Sequence, residues 1–430
     1  MKKINYIVAG MLTITLLGAS CTKLDFYPHS AVAPESFTEK DLDAVRNGMY
    51  NAVQNKPGRE SYIMFDLVSG NLIPASGGTV VANIRNVLRT ENSLVSASWD
   101  GYYKAMYQVN NVIDIVTALP ESPKKEQVLG EAYFFRAYLH YNLVTRWGDV
   151  PLMLHNTDEP VARTSQAEVW AAVEKDMTQA IQKCGGLGSD LKGNYTYLSK
   201  EAAKAFMARV LIGQNKKEAA ATYAEEVVTT GLFSLDDFQN IFRVHKSKEE
   251  IFTFSNVTEE SAITLSRLFY TYGHSVGGSY VYKPTDEVME LFESTDNRKE
   301  LSVATVTSLN VINKYPSGQT GTDPFPVIRL AEMYLILAEA KGLTKGLEYL
   351  NTLRKARGVA VLSPTNEIEY QDLVALERRR EFVGEGYRYF DLVRTGKLVE
   401  ELDVEAKYIK FPIPDYEREV NKLLTQNDGY

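Results

Sequence analysis

Cysteine is nearly absent: the 430 residues carry two, Cys21 and Cys184. That excludes a disulfide framework, so the chain must be held by its own core. Histidine is almost as scarce. The five, at positions 29, 140, 155, 245 and 274, show no H-x-x-x-H or Cys/His spacing, which removes the zinc signatures. No P-loop and no GxGxxG occurs, so no phosphate cradle is announced. Positive charge is short as well. The formal charge is −8 and no basic stripe appears, which argues against a nucleic-acid partner. An acidic chain also adheres poorly to anionic lipid by charge alone. Long apolar runs are missing too: residues 7–17 are mostly apolar but too short to cross a bilayer.

What that short run does fit is the core of an export signal. Lys2 and Lys3 precede it, and Gly18, Ala19 and Ser20 lead into Cys21. Small residues ending in Cys resemble a bacterial lipobox, with the leucine at Leu17, four places before the Cys rather than three. The expectation is a lipoprotein signal peptide over residues 1–20, cleavage before Cys21, and acylation of its thiol by palmitate-type chains. Several acyl chains hold a protein to a membrane where one would not. Loss of Lys2 and Lys3 takes the charge from −8 to −10. Residues 21–40, with Pro28 and Pro34 and little helical period, read as the tether. Cys184 is then a lone thiol, expected to be a small buried side chain.

Apolar residues make up 44% of the chain, enough for a sizeable core. Their period is helical. Residues 102–119 place Tyr103, Met106, Tyr107, Val109, Asn110 and Ile113 at three- and four-residue spacings. Residues 125–147 put Phe134, Tyr138 and Tyr141 on one stripe and Phe135 and Leu139 on another, so that helix is buried. Gly148 and Pro151 end it. Residues 199–230 read as two helices joined at Gly213-Gln214-Asn215, with alanines at 202, 203, 205, 208, 219, 220 and 224 for close approach. A similar pair lies at 326–358, and weaker ones at 102–147 and 166–183. The fold class is mostly α: a scaffold of tetratricopeptide-type helix pairs with long loop insertions and minor β. The insertions are residues 65–98, 185–197, 251–283 and 305–325, rich in Asn, Ser, Gly and Tyr. Long loops on a rigid scaffold commonly carry function.

Chemistry is thinner than structure. Gly273-His274-Ser275-Val276-Gly277 fits the G-x-S-x-G elbow of a serine hydrolase, but Pro284 and the residues before it do not form the helix that must follow. A hydrolase using Ser275 is therefore the lesser alternative, and the expectation is no enzyme. Glu377, Glu381 and Glu385 lie four apart beside Arg378, Arg379, Arg380 and Arg388, which reads as a salt-bridged cluster rather than a catalytic pair. No cofactor is required. Asp236-Asp237 and Thr295-Asp296-Asn297 are the places where Ca²⁺ would find oxygen ligands, though solvated loop charge explains them.

Tyrosine leads the aromatics, 26 against 17 Phe and three Trp. It joins an apolar ring to a polar tip and suits surfaces that meet polar ligands. The candidate binding platform is Tyr270, Tyr272, Tyr280 and Tyr282, with Tyr280 and Tyr282 on one side of an extended stretch. Asp66, Asn71, Asn83, Arg85 and Asn86 would supply hydrogen bonds beside them.

Five blocks in order resemble the SusD/RagB family of nutrient-binding lipoproteins. They are Glu131-Ala132-Tyr133-Phe134-Phe135-Arg136-Ala137-Tyr138 running to Trp147-Gly148-Asp149-Val150-Pro151-Leu152, the alanine-rich pair at 199–231, and Arg329-Leu330-Ala331-Glu332-Met333-Tyr334 with Leu350-Asn351 and Arg354. Glu377-Arg378-Arg379 to Arg394 and Phe411-Pro412-Ile413-Pro414 with the tail Gln426-Asn427-Asp428-Gly429-Tyr430 complete the set. The chain departs from the pattern in being short and in carrying only Thr22-Lys23-Leu24-Asp25 after the Cys. The resemblance implies a SusD-like N-terminal part over 41–250 and a RagB/SusD C-terminal part over 251–430, packed as one unit. It further implies an outer-membrane, outward-facing, lipid-anchored protein that binds oligosaccharide and serves a SusC-like TonB-dependent transporter, with peptides or another nutrient as the alternative ligand.

Overall fold

The computed structural model describes residues 37–188, 195–245, 247–257, 261, 263–271 and 277–430. Cys21, Tyr272 and Ser275 lie outside them. Residues 39–430 form one compact unit. Its longer helices are α1 (Leu42–Asn55), α2 (Arg59–Leu67), α3 (Val80–Val87), α4 (Ser93–Ala118), α5 (Pro123–Trp147), α6 (Gln166–Lys183), α7 (Lys200–Gly213), α8 (Lys217–Thr229), α9 (Leu330–Ala356), α10 (Glu367–Phe382) and α11 (Arg388–Arg394).

Local chemistry sets their ends. Ser122 Oγ accepts from the Lys125 amide at 3.1 Å and Pro123 occupies the first turn, where its missing N–H costs nothing. Gly148 stops α5 at a positive φ of 74°. Ser199 caps α7 through the Ala202 amide at 3.1 Å. The helices then pack in sequence, α4 on α5, α5 on α6, α7 on α8 and α8 on α9, as expected of helix pairs. Ala202, Ala203, Ala205, Ala208, Ala220 and Ala224 are all buried in these contacts, while Ala219 faces outward. Phe134 and Phe206 meet at 5.1 Å between ring centres, and Trp99 stands edge-on to Trp147 at the same distance. Cys184 is buried, and burial pushes its thiol well above its ordinary pKa.

Strands are few and short. β1 (Leu72–Pro74) pairs antiparallel with β3 (Tyr282–Pro284), β2 (Glu250–Phe254) with β6 (Phe325–Arg329), and β4 (Val303–Val306) with β5 (Leu309–Ile312). β2 itself spans residues 250 and 251.

Three sequence expectations change. Residues 65–98 are not one loop: α3 sits inside them, capped by Thr79, and α4 starts at Ser93, capped by Asn92. Residues 305–325 contain all but the first two residues of a hairpin whose two-residue turn, Thr307-Ser308, has φ of 48° and 66°, the mirror-image turn that matches strand twist. All five residues of β2 are buried, so the insertion at 251–283 opens with a core strand rather than a loop.

Glu377, Glu381 and Glu385 are buried and salt-bridged, but largely to partners far away in sequence. Glu381 binds Arg298 (2.9 Å), Arg329 (2.7 Å) and Arg357 (2.8 Å). Glu377 binds Arg354 at 2.6 Å, and Glu385 takes Lys314 and Arg329. Of the neighbouring arginines, Arg380 alone stands near one of the three, at 3.7 Å from Glu377, while Arg378 turns to Asp391 and Arg379 to Glu287.

Candidate functional site, a groove on the loop face

The two segments singled out for binding, 66–89 and 270–282, are brought together by β1 and β3. Leu72 faces Pro284 and Pro74 faces Tyr282 across the pair. The Ala75 amide donates to Val281 O at 2.8 Å, and Thr285 Oγ1 to Gly70 O at 3.0 Å. Chain reversal before β3 depends on Gly278: a Cβ there would stand 2.1 Å from Tyr270 O. Three further backbone bonds, Ser279 to Arg267, Tyr280 to Tyr270 and Val281 to Leu268, pin the returning strand.

The predicted tyrosines do not share one role. Tyr270 is buried, its hydroxyl given to Asn313 Oδ1. Tyr282 is also buried, and burial pushes its phenol up to about 12. Tyr280 is half-buried and takes a left-handed φ of 46°, which breaks the extended alternation expected to align it with Tyr282. Its hydroxyl donates to Asn310 O at 3.1 Å. Tyr270, Thr271 and Tyr280 form one wall of a shallow groove of about 150 Å³, open solvent included, and Val306, Thr307, Leu309 and Val311 form the other. The hairpin wall was missed because residues 305–325 read as polar loop, although the alternation of Val303, Thr305, Leu309 and Val311 was there to see.

The polar candidates divide in the same way. Asp66 is fully buried and accepts from Asn71 Nδ2 (2.7 Å) and from the amides of Gly384 (3.2 Å) and Gly386 (2.8 Å). Burial raises its pKa, with those hydrogen bonds working the other way. Asn71 Oδ1 accepts from Arg379 Nε at 2.9 Å, and Asn83 Nδ2 donates to Leu67 O and Leu72 O. These three side chains hold the loop face from inside, where backbone groups need partners. Arg85 and Asn86 are exposed on α3, which packs against β1. The acidic loops have other uses for their oxygens. Asp296 is held by Arg298, and Asp236 accepts from Asn240, Ser247 and the Lys248 amide.

A second, larger cleft of about 700 Å³, open solvent at its mouth included, lies among the scaffold helices, with Tyr102, Tyr138, Tyr141 and Arg146 in its lining. The loop-centred reading passed over it, although Tyr138 and Tyr141 were visible on one stripe of α5.

The helical scaffold thus carries a shallow groove between its inserted segments. Two family models match the chain, one described as starch-binding, associating with the outer membrane, over residues 24–212, and the SusD family over residues 270–409. The chain belongs to the SusD family. SusD-like protein P38 of Formosa agariphila is 26% identical, with 93% of each chain covered, and SusD-like protein P2 of the same organism is 26% identical over 100% of this chain and 99% of its own. Among solved structures, a SusD superfamily protein from Bacteroides vulgatus superposes with a TM-score of 0.79 at 21% identity, covering 91% of this chain and 99% of that one. A laminarin-binding SusD-like protein gives 0.79 at 21% identity, and surface glycan-binding protein A of Bacteroides fluxus gives 0.80 at 20%, each covering 91% of this chain and 100% of its own. Among the described residues no helix is long and apolar enough to cross a membrane.

Proposed function

We propose that the protein is a surface lipoprotein that captures an oligosaccharide and hands it to a SusC-like TonB-dependent transporter, without breaking bonds itself. Membership of the SusD family along both halves of the chain carries this reading. The laminarin-binding relative of the same fold supports a glycan as the ligand. Half-buried Tyr280, with Thr271 and Thr307 beside it in the groove, is the ring we assign to the sugar's C–H faces.

Calorimetry with a panel of oligosaccharides, laminarin fragments among them, tests it. One member should bind, and Tyr280→Ala should weaken it about 2- to 12-fold, the yield of a ring contact worth roughly 0.5–1.5 kcal/mol. Unchanged affinity in a variant of unchanged melting temperature removes Tyr280 from the site. A peptide mixture binding where every glycan fails transfers the scaffold to peptide capture.

The anchor is proposed to be the acylated Cys21, from the export signal and the small residues before it. Cys21→Ser should move the protein from the membrane fraction to the soluble one. Retention in the membrane through detergent-free fractionation would place the anchor elsewhere.

A further inference from the structure

The charges that line the scaffold cleft are turned on one another. Arg209 Nε donates to Glu332 at 2.6 Å, Arg378 Nε to Asp391 at 3.0 Å, and Arg394 reaches both Glu339 (2.6 Å) and Asp391 (2.8 Å). Glu385 is held by Arg329 at 2.9 Å and by Lys314. Arg146 is buried among neutral groups, donating to Asn142 Oδ1 (2.8 Å) and Ser61 O (2.9 Å) and lying over the ring of Phe65 at 4.2 Å. A charged guest would have to compete with these pairs, and breaking a buried pair from one side is costly. A neutral guest meets no such barrier.

What the fold leaves over is a hydroxyl. Tyr141 lines the cleft and is half-buried, its ring packed against Phe206 (5.2 Å), Trp170 (5.7 Å) and Phe390 (6.0 Å). Its hydroxyl has no hydrogen-bond partner among the described residues and, unlike Arg146 Nε, is not sealed from solvent. The charged groups that act on it are Arg209, Glu332, Asp391 and Arg394, and three of these four line the cleft. The open hydroxyl therefore faces the cleft. Burial pushes the phenol up to about 12, so it stays a neutral donor and acceptor near pH 7.

Within the cleft the centres of water-sized molecules have about 70 Å³ in which to sit, room for about five to seven waters. At about 30 Å³ of liquid per water, that is roughly 150–210 Å³ of displaced solvent, the bulk of one sugar ring and too little for two. Tyr138, Tyr141 and Phe390 wall the space with aromatic carbon. We propose that this cleft is a second binding site, for a single neutral sugar ring, with the Tyr141 hydroxyl bonding one of the sugar's hydroxyls and the aromatic wall meeting its C–H face. The site shares no residue with the loop groove and stands or falls without it.

Such a ring could arrive as a free monosaccharide or as the end of a longer chain. The test is calorimetric titration of the purified full-length protein with glucose, galactose, mannose and xylose, and with their methyl glycosides. The uronates and amino sugars of the three hexoses serve as charged analogues. At least one neutral sugar should bind saturably at roughly millimolar concentration or below. Charged analogues should bind at least about tenfold more weakly than the neutral sugar. A methyl glycoside that binds as well as its parent sugar identifies a chain end, and one that does not bind identifies a free sugar. Tyr141→Phe keeps the ring without the hydroxyl, and should weaken the bound sugar about 2- to 12-fold at an unchanged melting temperature, the yield of one hydrogen bond. No saturable binding by any neutral sugar would leave the cleft to water and overturn the proposal. Equal affinity for a charged analogue, or full affinity in Tyr141→Phe, would overturn it as well. Should the variant fail to fold, crystals of the parent soaked in the bound sugar decide: density in the cleft supports the site, and density elsewhere alone sinks it.

Discussion

Glu250 shows how burial without a partner sets a pH dependence. It is 2% exposed, accepts one hydrogen bond from Thr253 Oγ1 at 2.8 Å, and its second oxygen has no donor. Burial pushes its pKa from 4.5 up to about 7. The folded protein thus holds a proton that the unfolded chain gives up. Stability from this group is fully present below pH 4.5 and is lost as pH rises through about 7. The loss is on the order of 3 kcal/mol at 1.36 kcal/mol per pKa unit. Glu250→Gln keeps the shape and the Thr253 contact without the ionisable proton. Its stability relative to the parent, from urea midpoints, should rise by about that amount between pH 5 and pH 8. A gap that does not change with pH would show Glu250 to be ionised in the fold. The same limit governs what single residues reveal in the sequence. Asp66, Asn71 and Asn83 were legible as hydrogen-bonding groups, but residue type does not say with whom, and all three bond inward.

Elements were legible where period and punctuation agree. α5 carries a cap at Ser122, Pro123 in its first turn, two apolar stripes and a stop at Gly148, and it runs from Pro123 to Trp147, two residues from the expected start. The α7–α8 pair was legible for the same reason, with Asn215 at a left-handed φ of 59° in the turn. What failed were short elements in polar surroundings. α3 has eight residues, and its apolar contacts Val80, Ile84 and Val87 sit among Gly, Asn and Arg, so composition read as loop. The β4–β5 hairpin has no Asn-Gly or Asp-Gly at its turn; Thr307 and Ser308 take positive φ at a cost that the surrounding packing offsets. The candidate site inherits both results. The meeting of residues 66–89 with 270–282 depends on β1 and β3, three residues each, and no periodicity announces strands that short. The ring that reaches the groove, Tyr280, was legible as a tyrosine in a Gly-rich loop; the hairpin wall opposite it was not.

At the scale of the whole molecule, what was invisible was the pairing of charges. Glu377, Glu381 and Glu385 lie on the inner side of α10 and just beyond it, and they meet cations from four distant segments: Arg298, Lys314, Arg329, and Arg354 with Arg357. Glu249, just before β2, closes the network onto Arg329 and Arg357 at 2.7 and 2.8 Å. The sequence predicts only that these glutamates need cations, and offers four arginines close by in the chain; the fold uses mainly others because the near ones are paired with Asp391, Glu287, Glu293 and Glu401. Burial alone would raise the Glu381 pKa, but Arg357, Arg329 and Arg298 hold it well below the ordinary carboxylate range. Its stabilisation is therefore present above pH 4.5 and lost as pH falls below that value. Removing the charge leaves three buried guanidinium groups short of an acceptor. Glu381→Gln should cost about 3–5 kcal/mol at pH 7, the usual result of breaking a buried ionic cluster from one side. Because the network joins β2, β6, α9 and α10, the loss should lower the denaturant midpoint of the whole unit 39–430 in one transition. Far-UV circular dichroism and tryptophan fluorescence report different parts here, since Trp99, Trp147 and Trp170 all lie in α4 to α6, on the opposite half of the chain from Glu381. Coincident, equally shifted curves from the two probes are the expected outcome. A fluorescence midpoint that stays in place while the dichroism curve moves would show that the network stabilises only the C-terminal half, and that the two halves fold independently despite the packing of α8 on α9.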